Sequence, residues 1–471
     1  MPGHGERRVV VIVLSMLAAT LFAAAPAARS DGWPEWRGPR RAARHAGLDA
    51  PAAWPAELTR VWRVEVGAGL SSPVVAGGRV FLLTRAGDEE LVRGFDLEDG
   101  SLVWRRSYLS RFFANGGAIR PRLYPVSQGK GPFATPVVHG DRLLTLGVDR
   151  VLSAFAAADG RPLWRRHYLP VELPAEVKYY CRPCGCDHDG HAFDEPGNCP
   201  SCGMGLNPEG LETSARGGGG NYYGAAASPL VSGDLGVVHV GNLTEGLVIA
   251  FDHSTGEERW RWSGPTVAYS SPVAATLHGE PQVVTMTRTA VVGLELATGR
   301  LLWSFEIEND AHQATPVLKD DLVILSRYRG PTFALRISRQ GDSWSAEPAW
   351  ENAELTQWLT TPVLDGDRLY GFFLSKKGQF ATLDAATGET LWAGEGRQGE
   401  SAAVVLAGDH LLALKDDGSL VVLAKRGAAL ETVASYAVAD SPTWAYPALV
   451  GSSVLVKDER FLTLWRIEEE G

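Results

Sequence analysis

Residues 361–392, TPVLDGDRLYGFFLSKKGQFATLDAATGETLW, decide the fold. The stretch divides into four short apolar or alternating runs, at 361–364, 368–374, 379–384 and 389–392, separated by Asp-Gly, Lys-Lys-Gly and Ala-Ala-Thr-Gly. Runs of that length and spacing predict four strands joined by three tight turns. Each turn carries a glycine near its end, where a positive φ reverses the chain without a Cβ clash. One such meander cannot cover both its faces, so it requires neighbours.

Aligning on the proline that opens the first run reveals them, at Pro73, Pro136, Pro229, Pro272, Pro316, Pro362 and Pro447, with Ala403 in the matching place between the last two. From Pro229 onward the spacing stays between 41 and 46 residues. The closing turn and tryptophan recur as LEDGSLVW ending at Trp104, AADGRPLW at Trp164, HSTGEERW at Trp260, LATGRLLW at Trp303 and AATGETLW at Trp392. Four strands per unit at this period predict an all-β fold, a β-propeller of four-stranded antiparallel blades. The recurrent tryptophans are expected to dock one blade on the next. Two units depart from the pattern. The one around Gly341 reaches Trp350 after what reads as a longer loop, and the seventh, residues 401–439, has no tryptophan.

The A-x-D-x-x-T-G-x-x-x-W pattern, complete in AFDHSTGEERW, resembles the pyrroloquinoline-quinone-type (PQQ-like) propeller repeat, and the likeness covers nearly all of residues 60–467. That family holds quinoprotein dehydrogenases and non-catalytic outer-membrane assembly factors. The dehydrogenase resemblance implies an eight-bladed ring with PQQ and calcium in its funnel, an aspartate base and, in many members, a disulfide between adjacent cysteines. No two cysteines here are adjacent, and no Glu, Asn and Asp set matches a calcium site residue by residue. Motifs such as G-x-S-x-G and H-E-x-x-H are absent too. PQQ and calcium are therefore not expected, and the expectation is a binding scaffold rather than an enzyme.

Both chain ends contribute to closure. LTRVWRVEVG, residues 58–67, reads as a fourth strand with no first three before it, and residues 445–467 supply three strands and stop. Together they make an eighth blade that ties the termini and removes a free edge. Residues 28–57 form a leader with Trp33 and Trp36 in GWPEWRGPRR. Similar leaders in PQQ-like propellers imply packing across the ring. Residues 1–27 read as a secretory signal peptide, with Arg7 and Arg8 before an apolar run and cleavage near Ala27, and no lipid-attachment cysteine lies near. A periplasmic or secreted monomer without a membrane anchor is expected. The formal charge of −10 comes with both signs interspersed, which argues against nucleic acid and anionic membrane as partners.

Two connections are long, residues 110–131 and 171–224, and both join a fourth strand to the next first strand. They therefore leave the ring on the same face as the funnel mouth, where loops vary and bind. The first brings Arg120 and Arg122. The second reads YYCRPCGCDHDGHAFDEPGNCPSCGMGL and holds all five cysteines. Cys181-x-x-Cys184 and Cys199-x-x-Cys202 have the two-knuckle spacing of a zinc ribbon, each turn aiming two thiolates at one centre. The stretch also resembles the small heavy-metal-binding module of periplasmic metal-efflux adaptors, Y-x-C-P-M-H-P followed by G-x-C-P-x-C-G-M-x-L. Gly197, Cys199, Pro200, Cys202, Gly203, Met204 and Leu206 match its second half, whereas Arg182, Pro183 and Cys184 stand where the first half has Pro, Met and His. Zinc and copper stay open as the metal. An oxidising compartment also permits two disulfides and a spare thiol. Cys186, His188 and His191 are possible further ligands or solvated turn residues.

The module returns to the ring through GGGGNYYG, which brings Tyr222 and Tyr223 toward the funnel. Tyr269, His312, Gln313, Trp358, Trp444 and Tyr446 also precede first strands and are candidates for the same rim. An envelope protein or a small ligand at that face is the expected partner. A PQQ-dependent quinoprotein dehydrogenase-like oxidoreductase is the alternative reading, and metal sensing or delivery by the ribbon is a second.

Overall fold

The computed structural model describes residues 32–467 except 49, 52, 111–128, 170–177, 182–184, 196, 204–205, 209–223, 242–244, 311 and 358. The expected signal peptide lies outside the described residues, as do most of the first insertion and the glycine-rich return. In the sixth blade the alternating runs become Val363–Asp365, Arg368–Phe373, Gln379–Asp384 and Thr390–Ala393, paired antiparallel in chain order. Six further blades repeat that meander within residues 74–109, 137–167, 230–264, 273–306, 317–356 and 402–437. The eighth joins Ala448–Val450, Ser453–Lys457 and Phe461–Arg466 to an outer strand from the other end of the chain, Thr59–Glu65. Inner strands read as continuous apolar runs because both their faces are covered by adjacent blades; all five residues of Leu322–Ser326 are buried.

In the fifth blade the extra length is not a loop. Pro331–Gln340 and Ser343–Thr356 pair as one long hairpin about Gly341-Asp342, with Trp350 inside the second strand. Alternation simply continues through the insertion, so the strands lengthen.

The repeat's glycine and tryptophan are two halves of one joint. Trp104 Nε1 donates to Ala157 O of the next blade at 3.0 Å, and Trp62, Trp164, Trp260 and Trp350 make the same bond to Leu97, His253, Leu296 and Ala385. Each indole lies where a Cβ would stand on the turn glycine of that next blade, Gly160 for Trp104 and Gly256 for Trp164. The expected docking role of these tryptophans thus has a mechanism, a flat ring seated on a residue without a side chain.

Around the axis, the residue before each repeat proline links blade to blade. Ser72 N–H donates to Thr135 Oγ1, Thr135 N–H to Ser228 Oγ, Ser228 N–H to Ser271 Oγ, and Thr315 N–H to Thr361 Oγ1, at 2.9–3.2 Å. The seventh blade has Ala402 there and no hydroxyl to offer. Tyr446 spans the gap: its hydroxyl accepts from Thr361 N–H at 3.2 Å while its own N–H donates to Ser72 Oγ at 2.9 Å.

The leader fills the channel inside this ring. Trp33 pairs with Val75 of the first blade, and Pro34 O accepts from Val138 of the second. Arg41 donates to Ser228 O, Pro229 O and Pro272 O of the third and fourth, and Trp36 Nε1 to Thr315 Oγ1 of the fifth. Arg37 donates to Pro362 O of the sixth at 2.7 Å, Arg44–His45 runs parallel to Ala402–Ala407 of the seventh, and His45 Nε2 lies 2.9 Å from Gly451 O of the eighth. Thirteen residues therefore touch every blade. Arg37 and Arg41 are buried, and they satisfy carbonyls that the inner edges of the blades leave without a partner strand.

Candidate metal centre

The second insertion folds as a three-stranded sheet of two-residue strands, Ala192–Phe193, Tyr179–Tyr180 and Asn207–Pro208, around its cysteines. Cys181 ends the central strand and Cys186 sits on the following turn. Asp189 fixes that turn, accepting from Gly185 N–H at 2.6 Å while its other oxygen lies 3.7 Å from Cys186 Sγ. The second knuckle closes through Gly203 N–H to Cys199 O and Leu206 N–H to Gly197 O, both 2.8 Å. Gly203 takes φ 69°, so the glycine of the C-P-S-C-G run is a conformational requirement.

Cys181, Cys186, Cys199 and Cys202 bring their sulfurs within 4.8 Å of one another. Sγ separations are 3.4 Å for Cys181–Cys202, 3.7 Å for Cys181–Cys186 and 3.8 Å for Cys186–Cys199. A disulfide requires about 2.05 Å, and each of these separations is well beyond it. Four ligands at about 2.3 Å from a tetrahedral ion are spaced about 3.8 Å apart, close to these three separations. Of the expected quartet, Cys181, Cys199 and Cys202 meet; the fourth corner among the described residues is Cys186, and Cys184 lies outside them. Cys186, a possible further ligand in the sequence, is delivered by the Asp189-braced turn. Neither histidine reaches the cluster. His188 Nδ1 lies 2.5 Å from Ser201 Oγ, and the rings of His188, His191 and Phe193 pack together.

The rim candidates separate. Arg120, Arg122, Tyr222, Tyr223 and Trp358 lie outside the described residues. Tyr446 is buried in the hydroxyl ring with Trp36 against its face at 4.7 Å. His312 is buried as well, Nε2 lying 2.9 Å from Glu308 O and Nδ1 accepting from Tyr328 N–H at 3.3 Å, and burial lowers its pKa. Tyr269, Gln313 and Trp444 are half-buried. A calcium-held quinone requires convergent oxygen donors at the funnel. Among the described residues the four cysteines are the one set of three or more His, Cys, Asp or Glu side chains close enough to share an ion.

Sequence buried in the ring, not in the module, carries the relationships. BamB from Moraxella catarrhalis is 15% identical, with a TM-score of 0.55 over 88% of this chain and 99% of that one. Quinohemoprotein alcohol dehydrogenase from Comamonas testosteroni is 12% identical, with a TM-score of 0.62 over 95% and 82%. The computationally designed Ika8 protein gives 13%, 0.52, 88% and 100%. Likeness at such identities speaks for the fold. No curated protein sequence matches. The family profile described as outer membrane protein assembly factor BamB (PQQ_2) matches residues 59–174, 220–350 and 342–437, well over half of the chain, and the protein therefore belongs to that PQQ-like propeller family.

Proposed function

We propose that this protein is a non-catalytic propeller scaffold of the cell envelope that carries a closed thiolate site for zinc or copper(I) on its funnel face. The tetrahedral spacing of the four sulfurs is the observation that carries the reading. A site with four protein ligands leaves no open position for substrate, which suits holding a metal rather than using one in catalysis. Soft thiolates favour Zn or Cu(I) over hard cations. Family membership supports an envelope setting and a protein partner. A plugged channel and rim residues spent on packing support a ring that presents surfaces instead of enclosing a reaction.

Elemental analysis of chain purified from an envelope fraction without chelator or reductant tests the metal assignment. About one zinc or copper per chain is expected, lost in Cys199→Ser, with the ring's circular dichroism unchanged. Thiols found oxidised in pairs with no bound metal, or stoichiometric calcium with a bound chromophore, would end this reading.

A further inference from the structure

The outer strand of the first blade, Leu102–Leu109, is a free sheet edge. It bears three of the five exposed large apolar side chains among the described residues: Leu102 at 54%, Val103 at 41% and Leu109 at 57% exposure. Trp104 and Tyr108 turn inward to the second blade, which leaves Arg105, Ser107 and Leu109 on the open face. A register shift skips Val103 and turns it out beside them.

Arg105 stands directly opposite Arg93 on the adjoining strand. Like charges in that position destabilise a sheet. Arg93 is half-buried and donates to Thr84 Oγ1 and Val66 O, and burial, then Arg105, lowers its pKa. No carboxylate of a described residue forms an ion pair with either guanidinium. Two more arginines crowd the edge, Arg106 donating to Asp159 O at 3.0 Å and Arg165 stacking on Tyr108 at 4.6 Å. The chain's net charge is −10, and the outer strand of the fifth blade carries Glu347, Glu351 and Glu354 with no basic residue. Sequence disperses the arginines; folding gathers them.

We infer that this edge docks an extended segment of a partner protein in which a carboxylate stands between apolar residues. The segment's backbone pairs with the free edge, its carboxylate lies between Arg93 and Arg105, and its apolar side chains cover Leu102, Val103 and Leu109. Glu89, opposite Leu109, excludes a second acid at that end of the strip. A lipid surface fits less well, because the two arginines share one rung of a pleated edge whose N–H and C=O groups also want partners.

Fluorescence polarisation of eight-residue alternating Val/Thr peptides, with Glu, Gln or Lys at the centre, tests the strip on the full chain. Glu peptide should bind about tenfold more tightly than Gln peptide, as a charge-assisted bond to guanidinium provides, and Lys peptide should not bind. Arg105→Ala should erase the Glu preference. Arg261→Ala, on the third blade and already paired with Glu258, should leave it intact. Equal binding of Glu and Gln peptides, or no binding at all, would overturn the proposal and leave the arginines as guards against edge pairing. Arg105-dependent binding to phosphatidylglycerol vesicles without peptide binding would overturn it in favour of lipid.

Discussion

Gly160 shows how much of this ring rests on single atoms. Its φ of 69° is reserved for glycine, and an added Cβ would stand 2.4 Å from the Trp104 indole. Gly140 also has positive φ, 57°, but open space around it. The pair separates backbone strain from steric exclusion at the joint. Gly160→Ala should lose about 1–3 kcal/mol more stability than Gly140→Ala, the usual cost of overpacking, as read from urea midpoints. Equal losses would mean the indole yields and the joint is loose. His239 makes a prediction of a different kind. It is wholly buried between the third and fourth blades, its Nδ1 lies 3.0 Å from Thr285 Oγ1, and burial lowers its pKa to about 3. Because the folded value lies below the ordinary 6.5, the unfolded chain takes up a proton that the folded one refuses. Stability is complete above pH 6.5 and falls as pH drops toward 3, by up to about 1.4 kcal/mol per pH unit from this group. His239→Gln should flatten that part of the urea-measured profile between pH 6.5 and 4.5; an unchanged slope would show that His239 charges in place.

At the scale of elements, ring and module are stabilised by different means. Each blade buries apolar strands against two neighbours, whereas the module's strands are two residues long and its buried interior is largely Cys181 and Cys199. A unit that small cannot fold on its apolar surface, and the proposed metal would supply its folding energy. Chelation should therefore unfold residues 179–208 alone. Hydrogen exchange there should rise to the rate of an open chain while the inner strands of the third blade stay protected. Loss of protection in both would tie the metal to the ring, and persistence in the module would mean it holds without metal. The sequence made the module's knuckles legible because cysteine spacing is a local code. It offered Cys186 only as a possible ligand, since its place depends on the turn braced by Asp189. The leader was legible as packing from its tryptophans. Its course through the channel was not, because its partners lie up to 406 residues away and are mostly backbone carbonyls, which carry no sequence signal.

In the whole molecule, the blades were legible because five joints repeat one Gly and one Trp, and the weak sector was legible only as a missing tryptophan. What compensates for it is spread over the chain. The sixth blade's Trp392 does not seat on the seventh's turn, where a Cβ added to Gly427 would meet nothing within 4 Å, and the next seam is inverted, with Trp465 of the eighth blade donating back to Val438 O at 3.0 Å. The leader covers the gap. Arg44–His45 adds a fifth strand to the seventh blade, Trp54 packs on His410, and Tyr436 donates to Pro55 O at 2.8 Å. The seventh blade thus exchanges the joint of the repeat for a strap from the leader. Deleting residues 32–46 from the full chain should lower the melting temperature and release amide protection first in Ala402–Ala407 and Ala448–Val450, with the third and fourth blades following only at global unfolding. Tyr446→Phe, which removes one hydroxyl from the same sector, should give a smaller loss in the same place. Protection lost evenly around the ring would make the leader an axle that serves all blades alike, and unchanged protection would mean the seventh blade holds by its own apolar core.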